Sequence, residues 1–241
     1  IYKWNTQDKD KEKNKPTIFR RPSGNTNGNA YDSQGRLISA QHNRKLTRTE
    51  KDGKVTVLAE RYNNKLLNSP NYIAVKSDDS IYFTDPPYGI KKEEEELGFY
   101  GIYRWDNGNL TLLNKEMVRP NGIAFSPDEK KLYVSDSEKI HILVFDVKPD
   151  GTLSEGKVFA ELPGSTDKGV PDGMKVDNKG NVYCTGSGGV WIFSPTGKLL
   201  NKISVPEKAT NLAWGNQNYL TLYITAGNSV YRIPLNAVGN K

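Results

Sequence analysis

Cysteine occurs once in the 241 residues, at Cys184, and histidine only twice, at His42 and His141. A single thiol cannot build a disulfide framework. One cysteine and two distant histidines give no Cys/His cage for zinc. His141 lies within the apolar run Ile140–Val144 and reads as structural. No apolar stretch approaches the roughly 18 residues that mark a membrane span. Nor does any stretch hold apolar residues at three-to-four-residue spacing for two turns, which excludes a helical repeat. Charge of one sign is nowhere concentrated. The net charge of +6 comes from 34 Lys and Arg set against 28 Asp and Glu, scattered along the chain. That pattern reads as solvated loops and outer strands, not a nucleic-acid surface. The one dense cluster, Lys91 to Glu96, is mixed in sign and reads as a surface loop. No export signal is legible, so the compartment, cytoplasmic or periplasmic, stays open.

What the chain does have is punctuation. With 22 Gly and 13 Pro, short β-branched and aromatic runs are bounded by turn residues, the signature of strand hairpins. The stretch Asn68-Ser69-Pro70-Asn71-Tyr72-Ile73-Ala74-Val75 leads through Ser77-Asp78-Asp79-Ser80 to Ile81-Tyr82-Phe83-Thr84-Asp85-Pro86-Pro87-Tyr88-Gly89. The same grammar returns in Arg119 to Asp128 with Leu132 to Asp136, and again in Val170 to Gly180 with Asn181 to Gly186. Ile1-Tyr2-Lys3-Trp4-Asn5 matches Ile102-Tyr103-Arg104-Trp105-Asp106, a third strand of its unit. The chain therefore reads as starting at a third strand, with Thr17 to Arg20 as the fourth and Asp8 to Lys15 as a polar, flexible connection. Later units open near Gly24, Asn68, Pro120, Pro171 and Thr210, and the last has three strands. A repeat of roughly 40–50 residues with four short strands is the sign of a β-propeller. The expectation is an all-β, six-bladed β-propeller formed as a single domain by residues 1–241. Its first blade is incomplete and its ring open, so unpaired edges would leave either a monomer or an edge-mediated dimer.

In a four-stranded meander the start of the innermost strand shares a face with the loop after the second strand. Asn27, Asn71, Asn121, Asp172 and Asn211 stand at the first position. His42, Asp85 to Tyr88, Asp136-Ser137 and Thr185 to Ser187 stand at the second. Singly, Pro-Asn-Gly and Pro-Asp-Gly read as turns. Together, short amides and a carboxylate converging on one channel mouth suit a hard cation such as Ca²⁺, which takes roughly 6–8 oxygens. The hairpins on the other face read as plain turns. His42, at the mouth, is a candidate for contact with a ligand.

These motifs, in register over nearly the whole chain, resemble the gluconolactonase/regucalcin (senescence marker protein) family of calcium-dependent six-bladed propellers, and within it the bacterial gluconolactonase branch. The resemblance rests most on Leu67 to Asn71, Tyr82 to Gly89, Arg119 to Asp128 and Pro171 to Met174. It implies a metal-dependent hydrolase that opens a sugar lactone, a small-molecule partner, with neither nucleic acid nor membrane involved. Asn121 and Asp172 match the family's metal ligands, Asp172 also its general base, and Asn71 an asparagine of the substrate pocket. Tyr72 stands where the family usually has aspartate and would line that pocket with His42. The implied cation is Ca²⁺, with Zn²⁺, Mn²⁺ or Mg²⁺ as substitutes. The family's third ligand, a glutamate, belongs to a part of the first blade preceding Ile1, and Glu12 is not assigned its role. Two other readings stand beside this one: a non-catalytic propeller binding a sugar or protein, and a phosphotriesterase-type hydrolase.

Overall fold

Short runs of Val, Ile, Leu and Tyr, cut by Asp, Asn and Gly, pair each with the next as antiparallel meanders. The computed structural model describes residues 1–5, 15–163 and 167–240. Its sheets, lettered here in chain order, run from the centre outwards. Sheet A comprises Thr26–Tyr31, Leu37–Gln41, Lys45–Thr49 and Val55–Ala59; sheet B comprises Ile73–Val75, Ile81–Asp85, Gly101–Asp106 and Asn109–Asn114. Sheet C comprises Pro120–Phe125, Lys131–Asp136, His141–Asp146 and Lys157–Glu161. Sheet D comprises Met174–Val176, Val182–Gly186, Gly189–Phe193 and Leu199–Ser204. Sheet E has three strands, Ala209–Gly215, Thr221–Ala226 and Ser229–Pro234. The innermost strands of A to E touch in that order around the channel.

The second strand of each of sheets A, B and D is buried along its whole length. The reason is that neighbouring sheets cover both of its faces, and alternate side chains serve alternate neighbours. Phe83 packs towards sheet A with Ile38, Leu46 and Tyr103, while Tyr82 points into the layer shared with Ile123, Leu132 and Val134 of sheet C. Tyr133 and Tyr183 repeat the forward-pointing position into the next two layers. The ring of Tyr82 meets Phe125 edge-on at 4.9 Å, and that of Tyr183 meets Trp214 at 5.3 Å, each across a sheet boundary. Burying one such side chain contributes about 1.5–3 kcal/mol, so the core is a ring of inter-sheet layers.

The six-blade expectation is corrected in part. Besides five sheets of three or four strands, the described residues hold a two-stranded antiparallel pair, Tyr2–Lys3 with Thr17–Ile18. Trp4, beside that pair, meets Tyr223 of sheet E edge-on at 6.5 Å, and Arg20 donates to the Thr49 hydroxyl of sheet A at 2.8 Å. The pair thus fills the sector between the two ends of the arc. Most of the connection expected from Asp8 to Lys15 lies outside the described residues. A small hairpin, Arg61–Tyr62 with Lys65–Leu66, was not legible as strands; Asn63 and Asn64 turn it at φ 50 and 65, as a two-residue turn of this kind requires. The Lys91 to Glu96 cluster is a surface loop carrying one exposed 3-10 turn at Lys92–Glu94. Among the described residues no helix is long and apolar enough to cross a membrane.

Turns on one face of the disc are fixed by aspartates. Asp32 Oδ1 accepts from the amides of Gln34 and Arg36 at 3.1 and 2.8 Å, and Asp177 Oδ1 from those of Lys179 and Asn181, both at 2.9 Å. These are local side-chain turns with no further chemistry. The other face carries the candidate site.

Candidate functional site

Asn27, Asn121 and Asp172 are each followed by glycine, which singly reads as a turn. The structure places Asn27-Gly28 and Asn121-Gly122 inside innermost strands instead, at irregularities of the ladder between Thr26 and Asn29 and between Pro120 and Ile123. Such a bulge adds a residue and re-aims its side chain. The glycine is required by the neighbouring backbone. A Cβ on Gly28 would lie 2.4 Å from the Asn71 carbonyl oxygen, and one on Gly122 would lie 2.0 Å from that of Asp172. The second strands lock the same positions: the Thr84 hydroxyl donates to the Asn121 carbonyl at 2.8 Å, and the Ser135 hydroxyl to that of Asp172 at 3.0 Å.

The side chains so aimed form a chain of amides. Asn27 Nδ2 donates to Asn71 Oδ1, and Asn71 Nδ2 donates to Asn121 Oδ1 at 2.6 Å. His42 Nε2 sits 3.0 Å from the same Asn71 oxygen, which makes it a donor there. Asn121 Nδ2 donates to the Ser137 hydroxyl at 2.8 Å, and Ser137 in turn donates to the Pro171 carbonyl at 2.6 Å. Asn71 and Asn121 are buried, at 1% and 3% exposure. Asn71 is held there because its turn is pinned from below. Asp85 Oδ2 accepts from the Asn68 backbone amide at 2.8 Å, and Asn68 Nδ2 donates to the Phe99 carbonyl at 3.0 Å.

Asp172 is the carboxylate of the group. Burial pushes it up to about 6, while the nearby Tyr72 hydroxyl, the positive field of Lys208 and the Asn121 amide pull it back down. Among the described residues no lysine, arginine or histidine stands within salt-bridge distance of it. A half-buried anion without a paired cation is an electrostatic deficit. Tyr72, a buried residue, donates its hydroxyl proton to the Thr210 carbonyl at 2.8 Å, across to sheet E. Burial foremost, with the nearby Asp172 charge, holds that phenol well above its ordinary pKa, so it stays a neutral donor.

Of the residues read from the sequence, Asn71, Tyr72, His42, Asn121 and Asp172 are therefore brought together. Asn211 does not join the chain, because its Oδ1 accepts from the next backbone amide, Leu212, at 2.8 Å. Three further participants complete the group. The sequence places Asn27 and Ser137 on this face without an individual role, and Lys208 carries no sequence signal because it acts on Asp172 through space. Among the described residues no three acidic, His or Cys side chains cluster as a metal site. The oxygens at the mouth are the Asp172 carboxylate and the amide carbonyls of Asn121 and Asn71, which here accept from Asn71 and from Asn27 and His42. Oxygens of this kind fit a hard cation, which would take the place of those hydrogen bonds and supply the countercharge that Asp172 lacks.

Residues 1–228 match the SMP-30/Gluconolactonase/LRE-like region family. The chain is 34% identical to a gluconolactonase of Zymomonas mobilis over 197 residues, covering 76% of this chain and 55% of that protein. It is 33% identical to a regucalcin of Danio rerio over 111 residues, covering 44% of this chain and 37% of the other. A solved structure of a gluconolactonase from Xanthomonas campestris, XC5397, superposes with a TM-score of 0.86 at 36% identity, covering 97% of this chain and 78% of that one. The chain thus spans about half the length, or less, of these two curated relatives.

Proposed function

This chain belongs to the SMP-30/gluconolactonase/LRE-like family, and from that premise we propose that it is a metal-dependent hydrolase opening a sugar lactone at the mouth of the channel. The observation that carries the reading is the set Asn27, Asn71, Asn121 and Asp172 on one mouth, closed by a half-buried carboxylate with no paired cation among the described residues. Relatives named gluconolactonase and regucalcin support the substrate class and a divalent metal respectively. We take that metal as Ca²⁺, because every donor is an oxygen. The pair Tyr2–Lys3 and Thr17–Ile18 stands in the place of a sixth blade.

In this reading Asn121 and Asp172 hold the cation. The bound cation would polarise the lactone carbonyl and stabilise negative charge on its oxygen. Asp172, the one carboxylate of the group, takes the proton of the attacking water. Asn71, Tyr72 and His42 line the ring-oxygen and hydroxyl side of the substrate. Their amide, phenol and imidazole groups are hydrogen-bonding partners for a sugar. Water adds to the carbonyl carbon, the ring C–O bond breaks, and the ring oxygen takes the proton held by Asp172 to leave as a hydroxyl of the open-chain acid.

The test is turnover of glucono-1,5-lactone followed by acid release, with and without a chelator. Asp172→Ala and Asn121→Ala should each lower kcat by about 10²-fold or more, with the urea midpoint little changed. Undiminished turnover in the Asp172 variant overturns the mechanism. A second reading, a propeller that binds a sugar without cleaving it, draws on the single carboxylate among the donors. Saturable sugar binding without acid release in any divalent metal would favour it.

A further inference from the structure

The channel has a second end. On the face of the aspartate turns it opens into a cavity of about 490 Å³ whose walls include Ile73, Val75, Ile123, Phe125, Val176 and Trp214. That size lies within the range of small-molecule sites, roughly 300–1,000 Å³, which are mostly apolar with a few placed polar groups. Into this wall sheet D inserts one cation, Lys175. Its backbone pairs with Tyr183, the register position that Ala74, Ala124 and Ala213 hold against Tyr82, Tyr133 and Tyr223, and all four of these inner residues line the cavity. Lys175 is half-buried, and that burial depresses its pKa, with no anion nearby to restore it. The only acid lining the cavity, Glu129, is occupied elsewhere: its carboxylate accepts from the amide and hydroxyl of Ser77 at 2.7 and 2.6 Å and pairs with Lys76. Among the described residues Lys175 has no hydrogen-bond or ion-pair partner.

An ammonium held in an apolar chamber without a counterion is costly, and an entering anion with an apolar body satisfies both parts of the site. We propose that this far mouth is a second binding site, distinct from the Asn121–Asp172 mouth, for a small amphipathic monocarboxylate whose head meets Lys175 and whose chain lies along Val75, Phe125 and Trp214. Lys175 lies three residues from Asp172 along the chain, so the two sites are separated by about 10 Å at strand rise. The proposal stands independently of the lactonase reading.

Decanoate is the probe, with decanol as its neutral counterpart, titrated calorimetrically against the wild-type protein and Lys175→Met. The wild type should bind decanoate with one-site saturation. Lys175→Met should bind it at least about tenfold more weakly, while binding decanol no less tightly than the wild type does. That last result separates loss of the charge from loss of the fold. No saturable binding of decanoate to the wild type overturns the proposal. So does a Lys175→Met variant with unchanged decanoate affinity, which would place the ligand elsewhere.

Discussion

Replacing Asp85 by asparagine should make the protein more stable at neutral pH and leave it nearly unchanged in acid. Asp85 is completely buried, and only one of its oxygens is bonded: Oδ2 accepts from Asn68, whereas Oδ1 has no partner among the described residues. Burial, the dominant effect, raises its carboxyl from 3.8 to about 7, against the pull of the Asn68 amide and of Arg44. A carboxyl with a raised folded-state pKa binds a proton on folding between those two values, so stability falls as pH rises through that window. A carboxyl moved from 3.8 to about 7 makes the ionised form cost about 4 kcal/mol, a large part of a typical stability of roughly 5–15 kcal/mol. Below pH 4 both states are protonated and the cost is absent. Asparagine keeps the acceptor for Asn68 and, like the protonated acid, is neutral, with its NH2 group on the unbonded side. The assay is urea unfolding of wild type and Asp85→Asn from pH 4 to pH 8, extrapolated to water. The variant's relative stability should climb with pH, most steeply between 4 and 7, towards about 4 kcal/mol. A difference flat to within about 0.5 kcal/mol over that range would refute the burial argument.

Two further outcomes follow from the same packing. Gly122→Ala drives a methyl to within 2.0 Å of the Asp172 carbonyl, a backbone atom of the next sheet; it should cost about 1–3 kcal/mol or more in urea unfolding, and a neutral effect would contradict the close approach. Cys184 is fully buried, and desolvation raises its thiol pKa far above the ordinary range. Ellman's reagent at pH 8 should therefore leave the native protein unlabelled and react with one thiol after denaturation; rapid stoichiometric labelling of the native state would show sheet D to be open there.

Much of this architecture can be read along one strand at a time. The period-two runs, their separation by aspartate and glycine turns, and their recurrence determined the strands of sheets A to E and the face on which Asn71, Asn121 and Asp172 stand. Those properties depend on residues close in sequence, since side-chain alternation and turn hydrogen bonds are local. The match of Trp4 to Trp105 marked Tyr2–Lys3 as a strand, and it pairs with Thr17–Ile18 as the sequence suggests. Local reading erred where a pattern served two purposes: Pro120-Asn121-Gly122 has the composition of a turn but sits in a strand, because its glycine admits the Asp172 backbone.

Tertiary structure alone decided which members of the recurrent set act together. Tyr72 reaches Thr210 across 138 residues of sequence, Asn211 turns its carbonyl away to Leu212, and Lys208 acts on Asp172 through space. The depth of Asp85 and the isolation of Lys175 likewise depend on neighbouring sheets, not on their own. The physical reason is that a repeat specifies each sheet but not the angle and distance at which the next one is laid against it. Those are set by the fit of Tyr82, Tyr183 and Tyr223 against the rings they meet, and with them the field and the contacts at both ends of the channel.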